Sequence, residues 1–304
     1  MPTGWIDVQV NGWRGVDFSA PGLTVDAVLG VADGLLASGT ARFCPTMITA
    51  PPAVYQANLP VLAEASRRRP GQIAGIHLEG PFINPEPGAV GAHPARFVRE
   101  PSLSLLQDLV RWGEGQIKLV TLAPERPGAL ELVAYLAGQR VAVAVGHTLL
   151  DGNTARKAAD AGARWVTHFG NGLPGQLERH RNPMWAILSE PRLSVTLIAD
   201  GHHLPDDFLL AAWRVYGPRR LCLVSDASPV AGLPPGEYTL AGMRVALEPS
   251  GRIRNLAAPT LAGGSASLAD CAVRMARLTG ATPADMERMG RLNAECLLEN
   301  GELG

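Results

Sequence analysis

The chain has 304 residues and a mass of 32.1 kDa, with 46% hydrophobic and 18% charged residues, a balance that excludes a disordered chain. Its 27 Lys and Arg nearly cancel 28 Asp and Glu, so no global field draws it to nucleic acid or an anionic membrane. The longest uncharged stretch, 43–63, carries Pro45, Pro51, Pro52 and Pro60 and is excluded as a spanning helix.

Short β-branched runs alternate with longer helix-like stretches, the pattern of βα units in a parallel sheet. In chain order the predicted strands are 6–10, 42–48, 73–77, 118–122, 141–145, 165–167, 195–198 and 221–225. Runs such as Val141-Ala-Val-Ala-Val145 read as buried on both faces, as barrel strands are. Helices are predicted at 24–38, 53–69, 102–112, 128–138, 151–161 and 206–216, with Asp151 as an N-cap and Gly39, Gly138 and Gly162 as terminators. After the eighth strand, 237–240, 244–247 and 252–254 read as a small antiparallel insertion, followed by helices at 267–278 and 283–298. Eight strands with intervening helices predict an α/β fold, a (β/α)8 TIM barrel, as one domain over 1–304. A doubly wound sheet is the second architecture compatible with the pattern. No basic n-region or apolar h-region opens the chain, and Cys44, Cys222, Cys271 and Cys296 lack paired spacing. Both features predict a cytoplasmic protein with reduced thiols.

A barrel carries its chemistry on the loops after its strands. Of seven histidines, His147 and His168 directly follow predicted strands, His202 and His203 follow another with Asp200, and Asp226 follows the eighth. His77 and Glu79 close the third strand. Two neutral imidazoles and a carboxylate form a divalent-metal shell with an open position for water, and Glu79, His147 and His168 are the natural trio. Zinc is the expected ion, with ferrous iron or another divalent ion as alternatives. Asp226 suits a general base toward a metal-activated water. The long glycine-rich segment from His77 to His93 exceeds a routine connection, and His93 at its end is placed to polarise a carbonyl oxygen.

These motifs are carried by Asp7-Val-Gln9-Val-Asn11-Gly, His77-Leu-Glu79-Gly-Pro, Gly91-Ala-His93, Val120-Thr-Leu-Ala-Pro-Glu125, Gly146-His147-Thr, Thr167-His168-Phe-Gly-Asn171, Ile198-Ala-Asp200-Gly-His-His203 and Val224-Ser-Asp226-Ala. In this order they resemble the N-acetylglucosamine-6-phosphate deacetylases of the amidohydrolase superfamily. The resemblance implies one metal on Glu79, His147 and His168, Asp226 as base and then acid, and His93 on the acetamide oxygen. It further implies Asn171 and Gly172 toward the sugar, His203 near its phosphate, and a homodimer in which Arg179 or Arg181 reaches a phosphate. Many amidohydrolases carry His-x-His on the first strand for a second metal; Gln9-Val-Asn11 here implies a single ion. Compared with the family pattern the chain resembles a barrel-only branch without the small β-sandwich. The implied reaction converts N-acetylglucosamine 6-phosphate to glucosamine 6-phosphate and acetate. The alternatives are another N-acyl substrate, because Gly170-Asn171-Gly172-Leu173 departs from the family's usual Asn-Ala-Met, and an idle carbohydrate-binding barrel.

Overall fold

A computed structural model describes residues 4–258 and 260–300. Eight parallel strands form one sheet in strict sequence order: β1 (Trp5–Val10), β2 (Thr40–Met47), β3 (Ile76–Glu79), β4 (Ile117–Leu122), β5 (Ala142–Val145), β6 (Trp165–Val166), β7 (Ser194–Ile198) and β8 (Leu221–Val224). The ring closes where Val10 bridges Ala227 and where the Ser225 N–H donates to both oxygens of Asp7 at 3.3 Å. This is the predicted TIM barrel. The helices packed outside are α1 (Val25–Ala37), α2 (Pro52–Arg68), α3 (Leu103–Trp112), α4 (Ala129–Gly138), α5 (Gly152–Ala161), α6 (Pro183–Leu188), α7 (Asp206–Arg220) and α8 (Leu268–Thr279). No helix among the described residues is long and apolar enough to cross a membrane.

Local sequence accounts for the element ends. The Asp151 side chain accepts from Thr154 N at 2.7 Å and caps α5, and Gly162 ends that helix in the left-handed region. Helix α7 has a non-helical Gly217 inside it followed by Pro218, so its regular part ends at Tyr216, the predicted terminus. The third strand differs from expectation, running Ile76–Glu79 instead of 73–77. Gly75 at φ +138° breaks the run, and Ile73 is left with a lone bridge to Phe43. That shift carries Glu79 into the strand itself. The insertion after β8 is the antiparallel sheet β9 (Gly236–Leu240), β10 (Met243–Leu247) and β11 (Ile253–Asn255).

Two apolar layers hold the barrel. One lies between strands and helices. The other joins Ile6, Val8, Cys44, Leu119, Ala144, Trp165, Cys222 and Val224, from six strands around the ring, so it fills the lumen. Ala294 and Leu297 of α10 (Asn293–Asn300), which follows α9 (Pro283–Glu287) through a π-helical turn at Arg288–Leu292, complete this cluster. Filling one end of the lumen with apolar side chains leaves polar chemistry to the other end. All four thiols are free.

Candidate active site

Glu79 ends β3, while His147, His168 and Asp226 each stand two residues beyond a strand. The last three hold positive φ values, +50°, +30° and +50°, in the left-handed region that L-residues avoid. Such strain persists only where the surroundings impose it, and it turns each side chain inward from a strand end.

Their donor atoms converge. Glu79 Oε1 lies 3.1 Å from His147 Nε2 and 2.8 Å from His168 Nε2, and the two Nε2 atoms are 3.1 Å apart. His147 Nδ1 sits 2.8 Å from the Ala89 carbonyl oxygen, so Nδ1 carries the proton and Nε2 presents a lone pair. Two imidazole nitrogens and a carboxylate oxygen facing one another within 4.8 Å suit a divalent cation, and this donor set fits one. Burial alone would raise the Glu79 carboxyl and depress His168. Hydrogen bonds with His147, His168 and His93 override burial at Glu79 and hold it well below the usual carboxylate range, and the hydrogen bond and charge of Glu79 raise His168. Glycine makes room for the ring: a Cβ on Gly172 would fall 2.8 Å from His147 Nδ1, and one on Gly91 2.9 Å from its Cε1.

Two amides span the trio and the acid. Gln9 Nε2 donates to Glu79 Oε1 and to Asp226 Oδ1, each at 3.1 Å, and Asn11 Nδ2 donates to the same Asp226 oxygen at 2.7 Å. Asp226 is raised, first by burial and then by the Glu79 charge. His93 packs edge-on to His147, with ring centroids 4.4 Å apart. Its Nδ1 accepts from the Thr49 N–H at 3.2 Å, which leaves the proton on Nε2, 3.7 Å from Glu79 Oε2. Burial depresses this imidazole to about 4, so it is a neutral donor at pH 7. His77 is likewise pushed down to about 4, by burial first.

A cavity of about 520 Å³ opens above these groups and is also lined by Asn171, Gly172 and His203. Burial alone would raise Asp200, yet the His203 imidazole, 2.7 Å away, carries its carboxyl down to about 2. Arg179 and Arg181 are exposed on the 176–182 loop and do not line this cavity. The sequence reading did not assign Leu240, Ala241 and Met243 of the β9–β10 turn to the wall, nor the amide roles of Gln9 and Asn11. Their signal is the Gln9-x-Asn11 spacing at the end of a barrel strand.

No family model matches the chain. It is 36% identical over 307 residues to an N-acetylgalactosamine-6-phosphate deacetylase of Escherichia coli O157:H7, covering 99% of this chain and 78% of that protein. It is 38% identical over 286 residues to the mouse N-acetylglucosamine-6-phosphate deacetylase, covering 90% of this chain and 68% of that protein. The fold matches a solved mutant of the N-acetyl-D-glucosamine-6-phosphate deacetylase of Mycobacterium smegmatis, in complex with N-acetyl-D-glucosamine-6-phosphate, with a TM-score of 0.89 and 29% identity. That match covers 99% of this chain and 80% of the other.

Proposed function

The chain belongs to the N-acetylglucosamine-6-phosphate deacetylase family, and from that membership and the pocket's geometry we propose that it hydrolyses the acetamide of N-acetylglucosamine 6-phosphate. The observation that carries the reading is the convergence of Glu79, His147 and His168 beside an acid, Asp226, and a neutral donor, His93. A divalent cation held by Glu79, His147 and His168, with zinc as the proposed ion, would supply a Lewis acid for the amide oxygen and acidify a water.

The remaining steps belong to the protein. Asp226, its Oδ1 held by Gln9 and Asn11, takes the proton of the attacking water. His93 Nε2–H donates to the carbonyl oxygen as negative charge grows there, and its backbone-fixed tautomer keeps that donor in place. Protonated Asp226 then gives its proton to the sugar nitrogen, because an amide anion is too basic to depart. Acetate and the free amino sugar leave. The burial that raises Asp226 suits it to both tasks, since an acid poised nearer neutrality accepts and returns a proton readily. Asn171, Gly172 and His203 orient the sugar from the wall. We read the described residues as one barrel domain, and the free thiols as those of a cytoplasmic protein.

One observation favours a second reading. The relative that aligns with 99% of this chain is named for the galacto epimer, so N-acetylgalactosamine 6-phosphate is the alternative substrate. Acetate release is measured from both epimers and from unphosphorylated N-acetylglucosamine, with metal-loaded protein and Asp226→Asn as control. Turnover of the gluco phosphate, reduced at least 10²–10⁴-fold in the variant, is expected. A preference for the galacto epimer selects the second reading. No acetate from any of the three, with metal bound, rejects both.

A further inference from the structure

Beneath the three candidate ligands lies a polar floor that the hydrolytic steps do not use. Four buried side chains join end to end. Thr46 Oγ1 on β2 lies 3.3 Å from His77 Nδ1 on β3, and His77 Nε2 lies 2.8 Å from Thr121 Oγ1 on β4. Thr121 Oγ1 in turn lies 2.6 Å from the hydroxyl of Thr167, just after β6. Val10 N–H on β1 donates to Thr46 Oγ1 at 3.1 Å, so the ladder links five strands of the ring. An imidazole with two opposed nitrogens satisfies Thr46 and Thr121 at once, whichever way the protons run.

Each candidate ligand is attached to this ladder. Glu79 follows His77 by two residues on β3 and therefore shares its face. His168 follows Thr167 directly. His147 follows Gly146, where a Cβ would fall 2.8 Å from Thr121 Cγ2 and 2.9 Å from Thr167 Cβ, so its backbone rests on those two threonines. Three independent attachments converge on one hydrogen-bonded chain.

We propose that the Thr46–His77–Thr121–Thr167 ladder positions the metal site, holding the strand ends in the one register at which the Glu79, His147 and His168 donor atoms meet. Its members are positioning residues and touch neither substrate nor ion. The inference rests on the metal reading above. Groups behind metal ligands typically change affinity 10–100-fold when removed.

The test uses the full chain stripped of metal and titrated with cobalt(II), followed by its visible d–d absorption and by chelator competition. His77→Leu and Thr121→Val are expected to weaken cobalt binding 10–100-fold and shift the bands, and His77→Gln, which keeps a polar atom toward Thr121, to recover most of the affinity. At saturating metal, the remaining loss is expected in kcat and not in KM. Folded variants with unchanged affinity and spectrum would overturn the proposal. Should His77→Leu fail to fold, the near-isosteric Thr121→Val decides alone, with unchanged binding counting against the ladder. If the unaltered protein takes up no cobalt, the metal reading fails first, and this outcome is distinct from a failed ladder.

Discussion

A buried carboxyl at the barrel seam sets a pH signature. Asp7 is 1% exposed, and burial pushes it up to about 7 against an ordinary 3.8. Hydrogen bonds from Ser225 and Gln9 offset part of that rise, and the Asp226 charge adds to it. A folded value above the unfolded one means that folding favours the protonated form. The contribution is whole below about pH 4 and is lost as pH rises toward 7, on the order of 4 kcal/mol at most. Asp7→Asn keeps an acceptor for both N–H groups and cannot ionise. It is expected to melt higher than the unaltered protein at pH 8, with the gain vanishing toward pH 4; an equal loss at both pH values would contradict the shift. Asp7 was legible in sequence only as part of a motif, whereas the ligand histidines stood out because His is scarce and these sit just past apolar strands. Gln9 and Asn11 were read as the absence of a second metal, since a neutral amide carries no signature of the bond it will make. The ladder threonines were illegible for another reason. Thr is an ordinary β-former, and only the assembled sheet brings Thr46 and Thr121 to His77 and Thr167 to Thr121.

Among elements, the strands and outer helices followed from periodicity, while the misplaced ends followed from contacts that periodicity cannot contain. The third strand starts late because Gly75 interrupts it: its Cβ would meet Lys118 Cγ at 2.2 Å, so the position demands a bare backbone. Helix α6 escaped the pattern because six residues are too few for a helical period, although Asn182-Pro183 is a capping signal and Asn182 Oδ1 accepts from Trp185 N at 3.2 Å. The final helix was read as continuous over 283–298, yet it carries a π-helical turn at Arg288–Leu292. Gly290 in that turn abuts Trp5, where a Cβ would fall 2.2 Å from the indole Cε3. Just beyond, Asn293 Nδ2 donates to the Pro218 and Leu221 carbonyl oxygens and fastens the helix under β8. Gly290→Ala improves helix propensity and still is expected to destabilise by about 1–3 kcal/mol, because the half-buried indole, packed against the core, must move. A denaturant midpoint unchanged or raised in this variant would show that the turn tolerates a side chain and that Trp5 does not dictate it.

At the scale of the whole molecule, the charge balance of the cavity bears on how a phosphate would be held. Its described wall carries three carboxylates, Asp17, Glu79 and Asp226, and neither Lys nor Arg. A phosphate dianion entering there meets imidazoles and backbone but no fixed cation. The wall continues through Leu173 and Gly175 into the exposed 176–182 loop, which bears Arg179 and Arg181 and leads to Trp185, 57% exposed. Guanidinium groups close in sequence to the pocket yet outside it, beside an uncovered indole, suit a homodimer in which one copy's loop completes the other copy's site. Light scattering is then expected to give twice the chain mass. On that proposed arrangement, Arg179→Ala or Arg181→Ala is expected to raise KM for the phosphorylated sugar roughly 10–100-fold, the worth of one charged hydrogen bond, and to leave the unphosphorylated sugar unaffected. The decisive form mixes that variant with Asp226→Asn under subunit exchange. A site built from both copies regains turnover, because the heterodimer pairs an intact Asp226 with an intact arginine. A monomer, or a mixture no more active than its components, would place the phosphate cation within one chain and remove the reason for the second copy.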